Sequence, residues 1–379
     1  MQKHLLEEEH LNFQEAVRAF MNKEVAPHNE RWEKEGKVDR ELWLKAGEMG
    51  LLCIDFPKKY GGMGVKDFRY NVIVSEELAR VGTSGPGFTV QNDIIAPFTT
   101  HFNQLQKDKY MAKIARGEII TAIAMTEPGA GSDLANISTT AVKKGNHYVL
   151  NGAKTFITNG IMSDLVIVVA KTNPELHHKG ISLFLVERGM KGFSRGRNLD
   201  KIGLKAQDTA ELFFEDVEVP LENLVGEENR GFYYLMHNLA QERLSLAATG
   251  IAAAEVALEM TVKYCKDRKA FGRQIGSFQN SRFKLAEMQT EIIIGRTFVD
   301  QCIQELNAST LTAEKAAMAK YWITELQCKV VDQCLQLHGG YGFMREFPIA
   351  RAFTDSRAQR IYGGTTEIMK EIIGRSMGF

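Results

Sequence analysis

The 379-residue sequence has no stretch approaching the roughly 18 consecutive apolar residues that a membrane span requires. Its run Leu165–Ala170 is short and β-branched, which predicts a buried strand. It also lacks an excess of charge of either sign: 47 basic and 47 acidic residues, with no long basic run, leave no electrostatic footprint for nucleic acid or an anionic membrane surface. Cysteine is sparse. Cys53, Cys265, Cys302, Cys328 and Cys334 contain no C-x-x-C pair, so neither a disulfide framework nor a zinc site is expected and the thiols are expected to be reduced. The nine histidines form neither H-E-x-x-H nor a Cys/His cluster with ligand spacing, which predicts no metal site. G-x-S-x-G is absent, and with it support for a serine triad. No strand is followed by G-x-G-x-x-G, because Gly129-Ala-Gly131 and Gly340-Tyr-Gly342 both lack the third glycine; this argues against a nicotinamide cofactor. The start, Met-Gln-Lys-His-Leu-Leu-Glu-Glu-Glu, has neither a secretory apolar core nor an Arg-rich transit pattern, which favours a bacterial cytoplasmic chain or a mature organellar one.

What is present is a change of period. From about residue 5 to 117 apolar residues recur at three and four, as in Phe13–Val25 and Asn71–Val81. From about 118 to 225 the chain turns to short β-rich runs: Ile119–Met125, Tyr148–Leu150, Leu165–Val169, Ile181–Val186 and Leu212–Phe214. Gly145-Asn146 and Asn151-Gly152 are turn signals between them. From about 228 to 375 helical spacing returns in tracts such as Glu242–Lys266 and Leu311–Leu337. Helix, strand, helix in three blocks predicts an α+β chain with segregated elements about a central sheet, not a doubly wound fold. The expected domains are 1–117 (N-terminal helical), 118–227 (middle β-domain) and 228–379 (C-terminal helical). No internal repeat or low-complexity linker interrupts them.

Residues 124–133, Ala-Met-Thr-Glu-Pro-Gly-Ala-Gly-Ser-Asp, are composed to wrap a polar ligand. Pro128 fixes one backbone angle, Gly129 and Gly131 permit positive φ and close main-chain approach, and Thr126 and Ser132 supply donors. Composition alone also fits an ordinary loop. A second, distant segment holds Gln336, Gly339-Gly340-Tyr341-Gly342-Phe343, Glu346, Arg351 and Asp355. These two segments closely resemble the two signatures of the acyl-CoA dehydrogenase family, the first departing only at Asn136, where a small residue is more common. The likeness extends over nearly the whole chain. It is strongest, against the family's long-chain members, from Gly180–Glu187 through Gly203–Asp216 to Gln241-Glu-Arg-Leu244.

The resemblance implies an acyl-CoA dehydrogenase-like fold: an N-terminal helical bundle, a central β-domain and a C-terminal four-helix bundle that forms the core of a homotetramer, a dimer of dimers. It implies FAD-dependent α,β-dehydrogenation of long-chain acyl-CoA to trans-2-enoyl-CoA in fatty acid β-oxidation. Hydride passes to flavin N5, and electrons pass on to an electron-transfer flavoprotein. The implied location is the bacterial cytoplasm, or the mitochondrial matrix for a mature eukaryotic chain. By the same resemblance Ile123, Met125 and Thr126 lie by the flavin ring, with Gly131 and Ser132 also at the cofactor and Phe156-Ile157-Thr158 across it. Many relatives carry Trp at the position of Phe156; read without them, Phe156 is an apolar strand residue of the core. Arg268, Phe271 and Gln279 resemble a segment that reaches a neighbouring subunit's cofactor, and Arg suits phosphate oxygens through its planar fork. On spacing alone that segment is a solvated charge run. Gln336, Gly339 and Gly340 resemble the other contact from the partner chain, and Thr365, Thr366 and Glu367 a turn near the flavin. Ser132 and Tyr233 fit contacts to the CoA arm or cofactor.

The base is the discriminating point. Many members place a glutamate directly after the Tyr of an Ile-Tyr-Glu-Gly-Thr run, but here the run is Ile361-Tyr362-Gly363-Gly364-Thr365. Long-chain and isovaleryl-type members instead carry a helix-borne glutamate before Arg-Leu, which Glu242-Arg243-Leu244 matches, so the resemblance makes Glu242 the catalytic base. Read alone, Glu242 is a helix-start glutamate favoured by the macrodipole. An ordinary carboxyl, with a pKa of ~4.3, must be raised by burial to act as this base. Gly363 is expected to offer its backbone N–H to the thioester carbonyl oxygen, with Gly364 in the same pocket. Arg243, about 100° further round the helix, is expected off the base's face in a structural or substrate-pocket role. Three alternatives remain at this point: an isovaleryl-type branched short-chain enzyme, an oxidase, and a non-catalytic assembly or binding relative suggested by Gly363. Chain-length choice rests on the depth of a pocket between helices.

Overall fold

The computed structural model describes Met1 and residues 5–379; residues 2–4 of the acidic start lie outside the described residues. Helices α1 (Glu8–Phe20), α2 (Asn29–Glu35), α3 (Arg40–Glu48) and α4 (Phe68–Arg80) form the first layer. Asp67 caps α4 by accepting a hydrogen bond from the Arg69 N–H (2.9 Å). Tyr70, Ile73, Val74 and Leu78 of this helix pack with Trp32 and Trp43 in the N-terminal core. Phe68 and Val72 pack instead with the C-terminal helices, so α4 is buried between two layers. A wound segment, with π-helical turns at Val90–Ile95 and Lys107–Met111, leads into the sheet.

The sheet contains β1 (Thr121–Ala124), β2 (Thr140–Lys144), β3 (His147–Thr158), β4 (Leu165–Lys171), β5 (Ile181–Glu187), β6 (Phe193–Asn198), β7 (Thr209–Pro220) and β8 (Leu224–Val225). Its order is β6-β7-β3-β2-β4-β5-β8, with β1 parallel to β4. The apolar run of β4 divides by the two-residue period. Leu165, Ile167 and Val169 face Phe98, Tyr110 and Ile114, whereas Val166, Val168 and Ala170 pack with Tyr148, Phe184 and Phe214. Both faces are covered, which is why the strand reads as continuous hydrophobicity and not as alternation. The β3–β7 register slips between Lys154 and Ile157, a bulge whose consequence appears at the site.

The C-terminal layer comprises α5 (Gly231–Asp267), α6 (Gln279–Asn307), α7 (Ala313–His338), α8 (Pro348–Gln359) and α9 (Thr366–Ser376). Helix-rich blocks on either side of a sheet are what the periodicity predicts. The alanines of α5 let α7 approach closely: Ala247, Ala248, Ile251 and Ala254 share one core with Ile323, Val330 and Val331. By length and composition alone α5 is apolar enough to cross a bilayer; here 56% of its apolar window is buried within the fold, and Gln241-Glu242-Arg243 interrupts any continuous apolar run.

Arg296 of α6 ties the layers together. It donates to Glu76 Oε1 of α4 (2.7 Å) and, in a two-pronged pair, to both oxygens of Glu255 on α5 (2.8 and 2.7 Å). Burial opposes the charge on Glu76, but the Arg296 guanidinium, together with the Met1 ammonium, overrides it and holds the carboxyl below its usual range. Its stabilisation is therefore complete above the ordinary carboxylate pKa and is lost as pH falls through the lowered folded value. Replacing Arg296 with Leu leaves Glu76 only the Met1 ammonium as a charged partner and removes both bonds to Glu255, and is expected to cost about 3 kcal/mol, read as an earlier denaturant midpoint at neutral pH. An unchanged midpoint would show that the layers are held by packing alone.

Candidate active site

The end of β1 and the loop after it are pinned from below by a buried ion pair. Lys154 on β3 donates to the Met125 carbonyl (3.0 Å) and pairs with Glu127 Oε1 (2.8 Å). Glu127 also accepts from the Ser138 N–H and hydroxyl (2.5 and 2.6 Å) and from the Thr139 N–H (3.0 Å). Burial works against Glu127, yet Lys154 and these donors take its carboxyl down to about 2. Burial pulls Lys154 down to about 8, with Glu127 opposing, so both remain charged at neutral pH. A further bond, Thr155 N–H to Thr126 O (2.9 Å), sets Thr126 beside the bulge of β3.

Above this anchor lies the segment 128–132. The positive φ expected of Gly129 and Gly131 is not found at either. Reciprocal hydrogen bonds between Glu127 and Ala130 close the turn with ordinary dihedrals. The glycines matter in another way. A Cβ at either would meet nothing in the chain within 4 Å, so their bareness opens the surface to something outside the chain. Phe156 is not core either: the β3 bulge gives it φ +59° and leaves it 68% exposed. Its neighbour Ile157 turns inward to the sheet core, so only its backbone is available to a ligand, and Thr158 is half-buried. Half-buried Ile123, Met125 and Thr126 complete a surface with an aromatic, an apolar floor and hydroxyl donors, which fits a planar heteroaromatic ring.

Glu242 lies three turns into α5, because the helix begins at Gly231. The macrodipole, confined to the first turn, does not account for it. It is 5% exposed, and burial pushes its carboxyl up to about 8, with the neighbouring Arg243 only partly offsetting this. Arg243 is itself buried, its Nε without a hydrogen-bond partner, and burial lowers its pKa while Glu242 opposes. One turn beyond Glu242, Leu246 meets the 361–365 turn: a Cβ on Gly363, at φ +67°, would lie 2.4 Å from Leu246 Cδ1. The helix face of Glu242 and the 361–365 turn therefore adjoin. The Gly363 N–H makes no hydrogen bond among the described residues, and Lys320 Nζ holds the adjacent Gly364 carbonyl (2.6 Å). Burial, then the charge of Arg243, brings Lys320 down to about 8.

A polar clamp behind the helix was not anticipated. Asp93 accepts from the Ser245 hydroxyl and from Asn71 Nδ2 (2.7 Å), and its carbonyl accepts from Gln241 Nε2 (3.0 Å). Burial raises its carboxyl to about 6. The available signal was Gln91-Asn92-Asp93, a polar run inside apolar helical spacing.

Past Leu246 the same face of α5 continues through Thr249, Ala253, Val256 and Met260, which line a cavity of about 160 Å³ together with Leu78 and Pro86. From Glu242 to Met260 the helix rises about 27 Å. Tyr362, whose open face looks into this cavity, has its hydroxyl pKa raised by burial.

The remaining candidates lie elsewhere. Arg268, Phe271, Gln279, Gln336, Gly339 and Gly340 are exposed, Phe271 at 95%. The Arg268 guanidinium lies over the Tyr341 ring (5.5 Å), and the Tyr264 hydroxyl donates to the His338 carbonyl (3.2 Å), so the two segments share one face. No hydrogen bond or ion pair joins that face to residues 123–132 or 156–158 among the described residues. Ser132 is exposed on its loop. Tyr233, exposed at the start of α5, sits under the Arg230 guanidinium (4.8 Å). Thr365 caps α9, with Glu367 exposed in its first turn. Among the described residues the one close group of metal-type ligands, Glu7, Glu9 and His10, is far from this chemistry in the chain and largely exposed.

Three family profiles cover the chain: acyl-CoA dehydrogenase N-terminal domain at 7–118, middle domain at 122–217 and C-terminal domain at 229–378. The chain is 52% identical to the long-chain specific acyl-CoA dehydrogenase, mitochondrial, of Sus scrofa over 99% of its own length and 88% of the relative's. It is 37% identical to the isovaleryl-CoA dehydrogenase, mitochondrial, of Pongo abelii, over 98% and 89%. The crystal structure of an acyl-CoA dehydrogenase from Geobacillus kaustophilus superposes with TM-score 0.97 at 52% identity, covering 99% of each chain.

Because Lys154 anchors the loop that carries Thr126, Lys154→Met is expected to weaken retention of a bound chromophore at least tenfold. Equilibrium dialysis measures this; unchanged retention would mean that the loop holds its shape without the ion pair.

Proposed function

Since this chain belongs to the acyl-CoA dehydrogenase family, flavoprotein oxidoreductases acting on CH–CH bonds, we propose that it converts long-chain acyl-CoA to trans-2-enoyl-CoA with Glu242 as base. The carrying observation is a buried carboxylate, raised to about 8, on the helix face that further along, from Thr249 to Met260, lines a cavity. Glu242 takes the α-proton, and the electron pair of that C–H bond becomes the new C=C bond. The free Gly363 N–H, presented by a turn that Lys320 fixes, donates to the thioester carbonyl oxygen as enolate charge develops there. Bound FAD supplies the acceptor for the β-hydrogen, which leaves as hydride. Ile123, Met125, Thr126, Gly131, Ser132, Phe156, Thr158 and the Ile157 backbone would hold its ring. Arg268, Phe271, Gln279, Gln336, Gly339 and Gly340 of a neighbouring copy, with Thr365 and Glu367, would hold the rest. Tyr233 and Ser132 flank the CoA arm, and Arg243 supports the pocket.

The long-chain reading rests on the higher identity to the long-chain relative and on the cavity beyond Leu246, which a short branched acyl group would leave empty. We read the domains as 1–117, 118–227 and 228–379. The exposed Arg268–Tyr341 face assembles a homotetramer, a dimer of dimers, and the electrons pass to an electron-transfer flavoprotein. A cytoplasmic site in a bacterium, or the matrix for a mitochondrial chain, accords with this reading.

Glu242→Gln is expected to keep the flavin and the assembly while cutting kcat by roughly 10²–10⁴-fold or more; retained turnover would remove Glu242 from the role. In the wild type kcat/KM should rise with pH through about 8, since only the deprotonated carboxylate accepts the proton. A profile flat from pH 6 to 9 would contradict a base so perturbed. Moving the carboxylate by Glu242→Gly with Gly363→Glu should recover little activity, because the new side chain meets Leu246 and a left-handed backbone. Adding Leu246→Ala should raise that recovery, measured as single-turnover bleaching of the flavin.

A further inference from the structure

The cavity beyond Leu246 is not a plain hydrocarbon slot. Gln327 of α7 and Gln359 of α8 both line it, at 4% and 6% exposure, and the Oε1 of each is buried without a hydrogen-bond partner. The Tyr362 hydroxyl, on the same wall, also has no partner among the described residues. Gln327 and Gln359 stand on α7 and α8, whose contact is tied by Arg360 to Glu325 (2.7 Å) and by Cys328 Sγ to the Ser356 carbonyl (3.4 Å). Burying an amide with nothing to bond is costly, and cores avoid it. Two such amides and a phenol around one cavity are the wall of a polar subsite.

The charges on that wall are already used. Arg351 donates to the Gly82 carbonyl (3.0 Å) and pairs with Glu33 (2.6 Å). Asp355 accepts from the Leu204 N–H (2.6 Å) and the Ser84 hydroxyl (3.0 Å). What remains open is neutral and offers both donor and acceptor atoms, which suits a hydroxyl group and neither a cation nor a carboxylate. The level of this group is set by Gly250, whose ideal Cβ would lie 3.2 Å from Gln327 Oε1. Gly250 is eight residues beyond Glu242, a rise of about 12 Å, which an extended acyl chain with its α-carbon at Glu242 covers in roughly nine or ten carbons.

We infer that the acyl pocket binds long-chain acyl-CoA bearing a mid-chain hydroxyl near carbon 12, held by Gln327, Gln359 and Tyr362. This rests on the acyl-CoA reading of the site, and it makes hydroxylated fatty acyl thioesters a preferred substrate class. A hydroxyl donates to one glutamine oxygen and accepts from the other amide or from the phenol, whereas a methylene leaves all three unsatisfied.

The test compares 12-hydroxyoctadecanoyl-CoA with octadecanoyl-CoA on the flavin-loaded enzyme. Wild type should favour the hydroxylated thioester at least tenfold in kcat/KM, and Gln327→Leu with Gln359→Leu should reverse the order. The same pair is titrated into the Glu242→Gln holoenzyme, where perturbation of the flavin spectrum reads binding without turnover. A preference in binding that persists when Glu242→Gln still turns over would refute the base and leave the subsite standing. Equal affinities, or a wild-type preference for the unsubstituted chain that the double variant leaves unchanged, would overturn the subsite and give the amides over to bound water. The wild-type comparison decides the matter even if the double variant does not fold.

Discussion

Exclusion of water from one flank of a single 37-residue helix governs the rest of this molecule. A carboxylate in water is too weak a base to take a proton beside a thioester carbonyl. Glu242 becomes a stronger one because three layers close over α5: the N-terminal helices on one side, the sheet near its start, and α7 with the 361–365 turn on the other. The same closure requires every other polar group on the helix to find a partner or carry a cost. Ser245 and Gln241 find Asp93; Glu255 finds Arg296; Arg243 finds none for its Nε. The proposed base and its structural supports are thus consequences of one burial.

The turn at 361–365 illustrates how the supports divide their tasks. Gly363 takes a left-handed φ that suits glycine, and its N–H stays free. Lys320, on the opposite helix, fixes the carbonyl one residue on. Two cations stand near this turn: burial lowers the pKa of both Arg243 and Lys320, and the charge of Arg243 lowers that of Lys320 further. A fixed positive field of this kind suits the enolate of the proposed reaction, since it needs no reorganisation when the charge forms.

Much of this was legible in the residues, for identifiable reasons. Strand β4 announced itself because both its faces are apolar, and the helical blocks because their period is local. The first signature segment stood out because small and hydroxyl residues cluster there in sequence, and the fold presents Gly129 and Gly131 with nothing of the chain above them. What stayed hidden depends on contacts across distance. The Lys154–Glu127 pair joins residues 27 apart, and nothing near Lys154 marks it as buried. Phe156 reads as core until the bulge turns it outward. Glu242 reads as a helix start because Gly231-Phe-Tyr-Tyr carries no capping residue to show where α5 begins. Likewise, Gln327 and Gln359 are ordinary helix residues until two helices pack together and leave them facing a cavity.

The contact between Leu246 and the bare α-carbon of Gly363 bears on history as well as chemistry. Leucine occupies the volume that a side chain at 363 would need, and glycine at 363 is what lets leucine stay. A carboxylate arriving at 363 first would meet the leucine, and loss of Glu242 first would leave no base. Neither order of substitution passes through a working intermediate unless position 246 shrinks beforehand. The placement of the proposed base on this helix is therefore entrenched by its neighbours: descendants of this sequence can drift widely at the surface and still be unable to move the carboxylate to the turn by single steps.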